Sequence, residues 1–203
     1  MIEKICIYLT NKIREKTPDM DDEKAEVINF GLQLIVGEIP KIFLLVLIAF
    51  LLGVGLLTLM AFVLILPYKS ASGGFHLKSH IGCIVGTTAF YCGIAFVSQY
   101  INFEPMFLKY IVIGLVWIFG IAMCKKYAPA DTDNIPILET KERDRKRKLS
   151  YLYLTLSLIV AAIVPNSTIS NIIILGMFLQ TLSITKIAYK LTKNKYGYEV
   201  YGM

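Results

Sequence analysis

Residues 42–68 read IFLLVLIAFLLGVGLLTLMAFVLILPY, with no charged side chain anywhere in the run. A spanning helix needs about 20 mostly apolar residues, so this stretch exceeds a single crossing. Gly53-Val54-Gly55 in its middle supplies a turn. Other segments repeat the pattern: Ser79–Phe103 carries only His80, and Tyr110–Cys124 and Leu149–Thr185 carry no charge. Apolar residues make up 56% of 203 and charged ones 18%, less polar surface than a soluble domain of this size needs. A β-barrel would show strict polar/apolar alternation, which is absent. The expected fold is an all-α integral membrane protein of about six transmembrane helices with an N-terminal amphipathic surface helix.

Charge orders the topology. Lys125–Lys148 is rich in basic residues, and Lys186, Lys190, Lys193 and Lys195 follow in the tail. The positive-inside rule makes both segments cytoplasmic. Leu149–Thr185 must then leave and return, turning at Pro165-Asn166-Ser167, which predicts helices over about 149–164 and 168–189. Working backwards, a helix over 107–124 comes in from an outer loop near Asn102–Met106. The helix before it, about 81–100, starts inside, so Lys69–Ser79 faces the cytoplasm. Between Val27 and Leu66 there is room for two spans, the first interrupted by Glu38, Pro40 and Lys41, whose charges at i, i+3 can pair. The rival reading lays 27–38 flat and crosses once over 42–67, leaving the N-terminus outside. Six spans are preferred, because Met1–Lys16 reads as a basic amphipathic helix: Ile2, Ile5, Leu9 and Ile13 lie opposite Lys4, Lys12 and Arg14. Residues 1–203 then form one polytopic membrane domain. Its cytoplasmic parts are an amphipathic segment (1–24), a candidate catalytic loop (68–80), a basic loop (125–148) and a tail (190–203). No cleavable signal peptide is visible in residues 1–26.

The candidate chemistry lies in Ser72-Gly73-Gly74-Phe75-His76, with Cys83 seven residues after the histidine. A cysteine attacks carbonyls as thiolate, and a nearby imidazole is the usual device for making one. In one continuous helix the two would stand about 10.5 Å apart along the axis, beyond the roughly 2.6–3.2 Å of proton transfer. The chain between them must therefore bend. Gly73-Gly74 give a flexible approach, and Ser79 can cap a helix that places Cys83 near its start, where the positive end of the dipole favours an anion. His80, at i−3 from Cys83, competes as the base. His76, His80 and Cys83 together also read as H-x3-H-x2-C, a spacing that could hold zinc. Most membrane cysteines are small packing residues, and Cys6, Cys92 and Cys124 are read so. The four cysteines show no CxxC and no disulfide framework. Lys69 and Lys78 either flank the site or mark the membrane boundary. Asp131 or Asp133 could supply an orienting carboxylate from the next loop.

Three separated motifs carry a family resemblance. Lys69-Ser70-Ala71-Ser72-Gly73-Gly74-Phe75-His76 resembles the basic-residue, Gly-Gly-x-His signature of the AgrB (accessory gene regulator B) membrane endopeptidases of Gram-positive quorum sensing. Cys83 stands at that family's His-to-Cys spacing, and Lys125-Lys126-Tyr127-Ala128-Pro129-Ala130-Asp131-Thr132 resembles its Ala-Pro-x-Asp segment. Lys69 stands where the family usually has arginine, and Ile135-Pro136 where it often has Lys-Pro. The resemblance implies His76 and Cys83 as the catalytic pair; around them, Lys69, Gly73, Gly74, Lys78 and Asp131 are expected in substrate-binding or supporting roles. It implies an AgrD-like propeptide as substrate, cleaved before its acidic C-terminal tail through an acyl-thioester on Cys83 and cyclised to a thiolactone. It also implies a multi-pass protein of a Gram-positive cell membrane with its site facing the cytoplasm. No cofactor, metal or nucleic-acid partner is expected; the lipid bilayer is, and a homodimer is compatible with so small a bundle. The alternatives are a small transporter or metal-binding membrane protein using His76, His80 and Cys83, and a peptide-binding membrane partner without chemistry.

Overall fold

A computed structural model describes residues 2–17, 20–77, 79–133 and 136–201. Among them the secondary structure is helical, with an isolated bridge between Gly73 and Ala130. The helices are α1 (Ile2–Lys16), α2 (Asp22–Leu51), α3 (Gly55–Ser72), α4 (His80–Val97), α5 (Phe107–Tyr127), α6 (Thr140–Ile163), α7 (Ser167–Ser183), α8 (Lys186–Leu191) and α9 (Gly197–Tyr201). The chain divides into two compact units, Met1–Ile48 and Ala49–Met203.

In the first unit, α1 carries Glu3 in its first turn and Arg14 and Lys16 in its last, the arrangement that complements the helix dipole. Arg14 pairs with Asp22 at 2.7 Å, tying the end of α1 to the start of α2. Ile5, Ile7, Tyr8 and Ile13 stay exposed, as the apolar face of an interfacial helix does. The helix α2 runs unbroken through Pro40, and Glu38 and Lys41 form the expected ion pair beside it. Val27, Phe30, Ile35, Ile39, Phe43 and Leu47 point outward, a surface that suits hydrocarbon rather than water. The break in the long apolar run falls after Leu51, where Gly53 takes φ 73°. Pro40 does not divide it.

The second unit is a bundle built on α7, which packs against α3, α4, α5 and α6. Ile172, Ile173, Met177, Gln180 and Thr181 of this helix are all buried. Small residues allow close helix approach, as membrane bundles require. A Cβ on Gly176 would meet Ile65 Cδ1 at 2.5 Å, and one on Gly120 would meet Leu154 Cδ2 at 2.5 Å. Several polar groups inside are paired: the Tyr68 hydroxyl lies 2.8 Å from Thr181 Oγ1 and 3.2 Å from Cys124 Sγ. Asn171 Nδ2 donates to the carbonyls of Ser98 (3.0 Å) and Ile101 (2.9 Å), closing the end of α4.

The chain is thus an all-α membrane protein. The segments expected to cross fall on α2–α7. Of these, α2, α3 and α5 are long and apolar enough to cross a bilayer, whereas Ile81–Val97 and Ser167–Ser183 are apolar but shorter. Several boundaries differ from the sequence reading. The helices α3 and α5 run on to Ser72 and Tyr127, into stretches expected as loops. The helix α6 begins at Thr140, before the apolar run, so the basic residues Lys141–Lys148 are helical rather than loop. The helix expected over 168–189 ends at Ser183, and α8 starts afresh with Thr185 as its cap, the Thr185 hydroxyl accepting from Ala188 N at 3.4 Å.

Candidate active site

The two loop motifs meet at one end of the second unit. The helix α3 ends at Ser72, and Gly73 (φ 75°) and Gly74 (φ 144°) turn the chain through conformations that other residues rarely adopt. Ala130 N donates to Ser72 O at 2.8 Å, and Gly74 N donates to Ala130 O at 2.9 Å. The Gly-Gly-x-His loop and the Ala-Pro-x-Asp loop therefore hold each other by backbone bonds, though more than 50 residues separate them in sequence. Gln180 of α7 secures the join from below, donating to Gly73 O at 2.8 Å and to Ser72 Oγ at 3.1 Å.

A cavity of about 310 Å³ opens over this join, and Lys69, Gly73, Gly74, His76, Asp131 and Lys146 help to line it. Five of the expected site residues thus share one concavity. Lys69 also reaches α4, its ammonium lying 5.5 Å from the Tyr91 ring centre and 5.7 Å from that of Phe90, within cation–π range. Asp131 is an anchor more than a surface ligand. Its Oδ2 accepts from Arg143 at 2.8 Å and from Ile137 N at 3.0 Å, while Oδ1 is buried without a hydrogen-bond partner. Arg147 Nε donates to Ala128 O at 2.8 Å. The basic run at the start of α6 thus grips the Ala-Pro-x-Asp loop.

Cys83 lies outside the lining of that cavity, in the first turn of α4. Ser79 caps this helix as expected, its hydroxyl accepting from Gly82 N at 2.9 Å, and Cys83 N donates to Ser79 O at 2.9 Å. All four cysteines are free thiols; Cys6, Cys92 and Cys124 are buried, and Cys83 alone is partly accessible. Lys78 and the His80 side chain lie outside the described residues, so the zinc spacing that includes His80 has no geometry here. Among the described residues no group of three or more His, Cys, Asp or Glu side chains is placed to hold a metal ion.

The sequence reading missed Gln180, Tyr189, Arg143 and Asn194. Gln180 left a signal, a long polar side chain inside an uncharged apolar run. Tyr189 left none. Its hydroxyl donates to the carbonyls of Ala130 (2.9 Å) and Asp131 (3.0 Å). Burial, with the Asp131 charge adding to it, pushes its pKa up, so it remains a donor at neutral pH.

Comparison with known proteins places these motifs in a family. The model of accessory gene regulator B, AgrB, matches residues 6–184. A protein of Clostridium acetobutylicum named as AgrB-like is 26% identical over 97% of this chain and 91% of its own length. Relatives of the same name from Listeria monocytogenes and Clostridium perfringens are 27% and 29% identical. They cover 98% and 95% of this chain, and 94% and 95% of their own lengths. No solved structure matches.

Proposed function

Since the chain belongs to the AgrB family, with a role in agr quorum sensing, we propose that it is a membrane cysteine endopeptidase that trims and cyclises an AgrD-like propeptide. One observation carries this reading. The Gly-Gly-x-His and Ala-Pro-x-Asp loops, distant in sequence, join by backbone hydrogen bonds around a cavity lined by His76 and by the cations Lys69 and Lys146. That charge suits an acidic peptide tail.

In the proposed reaction, His76 takes the proton of the Cys83 thiol. The thiolate attacks the carbonyl carbon before the acidic tail, the C–N bond breaks, and His76 returns the proton to the leaving amine. The N-terminal fragment stays on Cys83 as a thioester. The propeptide's own cysteine, as thiolate, attacks that carbonyl, forms the ring thioester and releases Cys83. One thioester replaces another, so the second step is near neutral in bond energy, and a site shielded from water limits hydrolysis. Facing the cytoplasm, the cavity would meet a newly made propeptide before export. Asp131, held by Arg143, supports the loop rather than touching substrate.

The test is mass spectrometry of a co-expressed propeptide with wild type, Cys83→Ala, His76→Ala and His80→Ala. The expected result is tail release by wild type and His80→Ala, and none by the other two. Release by Cys83→Ala removes the nucleophile assignment. Release that depends on added metal favours the metal-binding alternative.

A further inference from the structure

The matched family region ends at residue 184, yet the chain beyond it touches both loops of the candidate site. Asn194 Nδ2 donates to His76 O at 2.8 Å. Tyr189 holds the carbonyls of Ala130 and Asp131, and a Cβ on Gly197 would meet Asp131 Oδ2 at 2.5 Å. The Arg143 guanidinium, already paired with Asp131, lies 5.1 Å from the Tyr198 ring centre.

This segment has its own internal order. Tyr196 stacks on Tyr189 (3.9 Å between ring centres, 12° between planes) and on Tyr198 (5.0 Å, 20°). Its hydroxyl donates to Ile184 O at 2.8 Å. Tyr189 and Tyr196 are buried, so the segment is packed rather than draped. The turn that delivers Asn194 is a helix C-cap: Lys193 N donates to Lys190 O at 3.3 Å and Asn194 N to Tyr189 O at 2.9 Å, with Lys193 at φ 55°. This is the paired bonding of a Schellman motif. Asn194 is fixed further by its bond to Thr192 Oγ1 at 2.9 Å. A side chain locked by its own backbone turn and aimed at the carbonyl of His76 is built to hold that residue's backbone.

We propose that residues 185–201 form a strap that sets the His76 loop against the Ala-Pro-x-Asp loop, and that Asn194 is the positioning residue for His76. The consequence for catalysis rests on the peptidase reading above; the mechanical contact does not. Asn194 acts through the backbone of His76 and touches no reacting atom. Misplacing a catalytic group by about 1 Å costs on the order of a hundredfold in rate, so a lost strap contact is read in kcat before KM.

The test uses the full chain in membranes or detergent, with Asn194→Asp and Asn194→Ala. Asn194→Asp keeps the shape of the side chain but has no N–H to donate. Amide hydrogen exchange over residues 73–77 is measured beside cleavage of a propeptide. The expected result is faster exchange in that loop in both variants, unchanged exchange in α5 and α7, and a fall in kcat of about ten- to a hundredfold with KM within about twofold. Unchanged exchange over 73–77 overturns the strap, whatever the cleavage assay shows. Faster exchange with wild-type kcat overturns the positioning role. A wild-type protein that cleaves nothing refutes the peptidase reading, and the exchange result still decides the contact. Should Asn194→Ala not accumulate, Asn194→Asp alone decides.

Discussion

Gly73 shows how far single residues set this site. Its φ of 75° is a conformation that costs a residue with a Cβ roughly 1–3 kcal/mol. A Cβ there would also collide with the carbonyl oxygen of Ala130, which accepts the amide of Gly74. Gly73→Ala is therefore expected to part the two loops. It should lower stability in detergent by about 2 kcal/mol or more, seen as a lower unfolding midpoint, and should reduce tail release along with it. Normal stability and activity in that variant would mean that the bridge is dispensable. At this scale the sequence was informative about chemistry and silent about support. Gly73-Gly74 announce a special backbone, and the proposed base and nucleophile, His76 and Cys83, stand out by residue type and spacing. That Asp131 would bury itself against Arg143 could not be read, because the pairing is made by the packing of α6 and not by spacing along the chain.

At the scale of elements, hydropathy reports where a bilayer could be, not where a helix ends. It found the breaks near Gly53 and Pro165 and the cap at Ser79, each marked by a residue with local backbone chemistry. It misplaced the start of α6, since Lys, Arg and Glu are good helix formers and Thr140–Lys148 extends the helix past the apolar run. It also fused α7 with α8, because the stop at Ser183 has no glycine or proline to mark it. The end of α8 is unusual in another way: Lys193 holds the left-handed position that glycine normally takes. Lys193→Gly should relieve that strain and stabilise the strap by about 1 kcal/mol. Slower amide exchange at Asn194 and over 73–77 would show it. Faster exchange would mean that the lysine side chain contributes more than its backbone costs.

For the whole molecule, topology is where sequence charge says most. By the positive-inside rule the basic residues of Lys125–Lys148 and of the tail from Lys186 are expected on one side of the membrane, and the candidate site lies among them. Single cysteines introduced at Asn102 and Asn166, in a chain whose four native cysteines are serine, should react with a membrane-impermeant maleimide in intact cells. Cysteines at Lys141 and Lys193 should react only after the cells are opened. Labelling of Lys141→Cys from outside would invert the arrangement and put the cavity on the wrong face for a newly made peptide. Three helices that reach full spanning length and two apolar ones that fall short fit a bundle in which the bilayer thins locally or flanking lysines reach for the interface.

In the proposed reaction Cys83 carries the cleaved peptide. The most direct measurement is the intact mass of the purified protein, acid-quenched during turnover of a propeptide. The expected result is an added mass equal to the N-terminal propeptide fragment, located on Cys83, removed by hydroxylamine, and absent from Cys83→Ala. Tail release that proceeds in Cys83→Ala, or turnover in wild type that never leaves an adduct on Cys83 even when the propeptide's own cysteine is replaced by alanine to block ring closure, would contradict it.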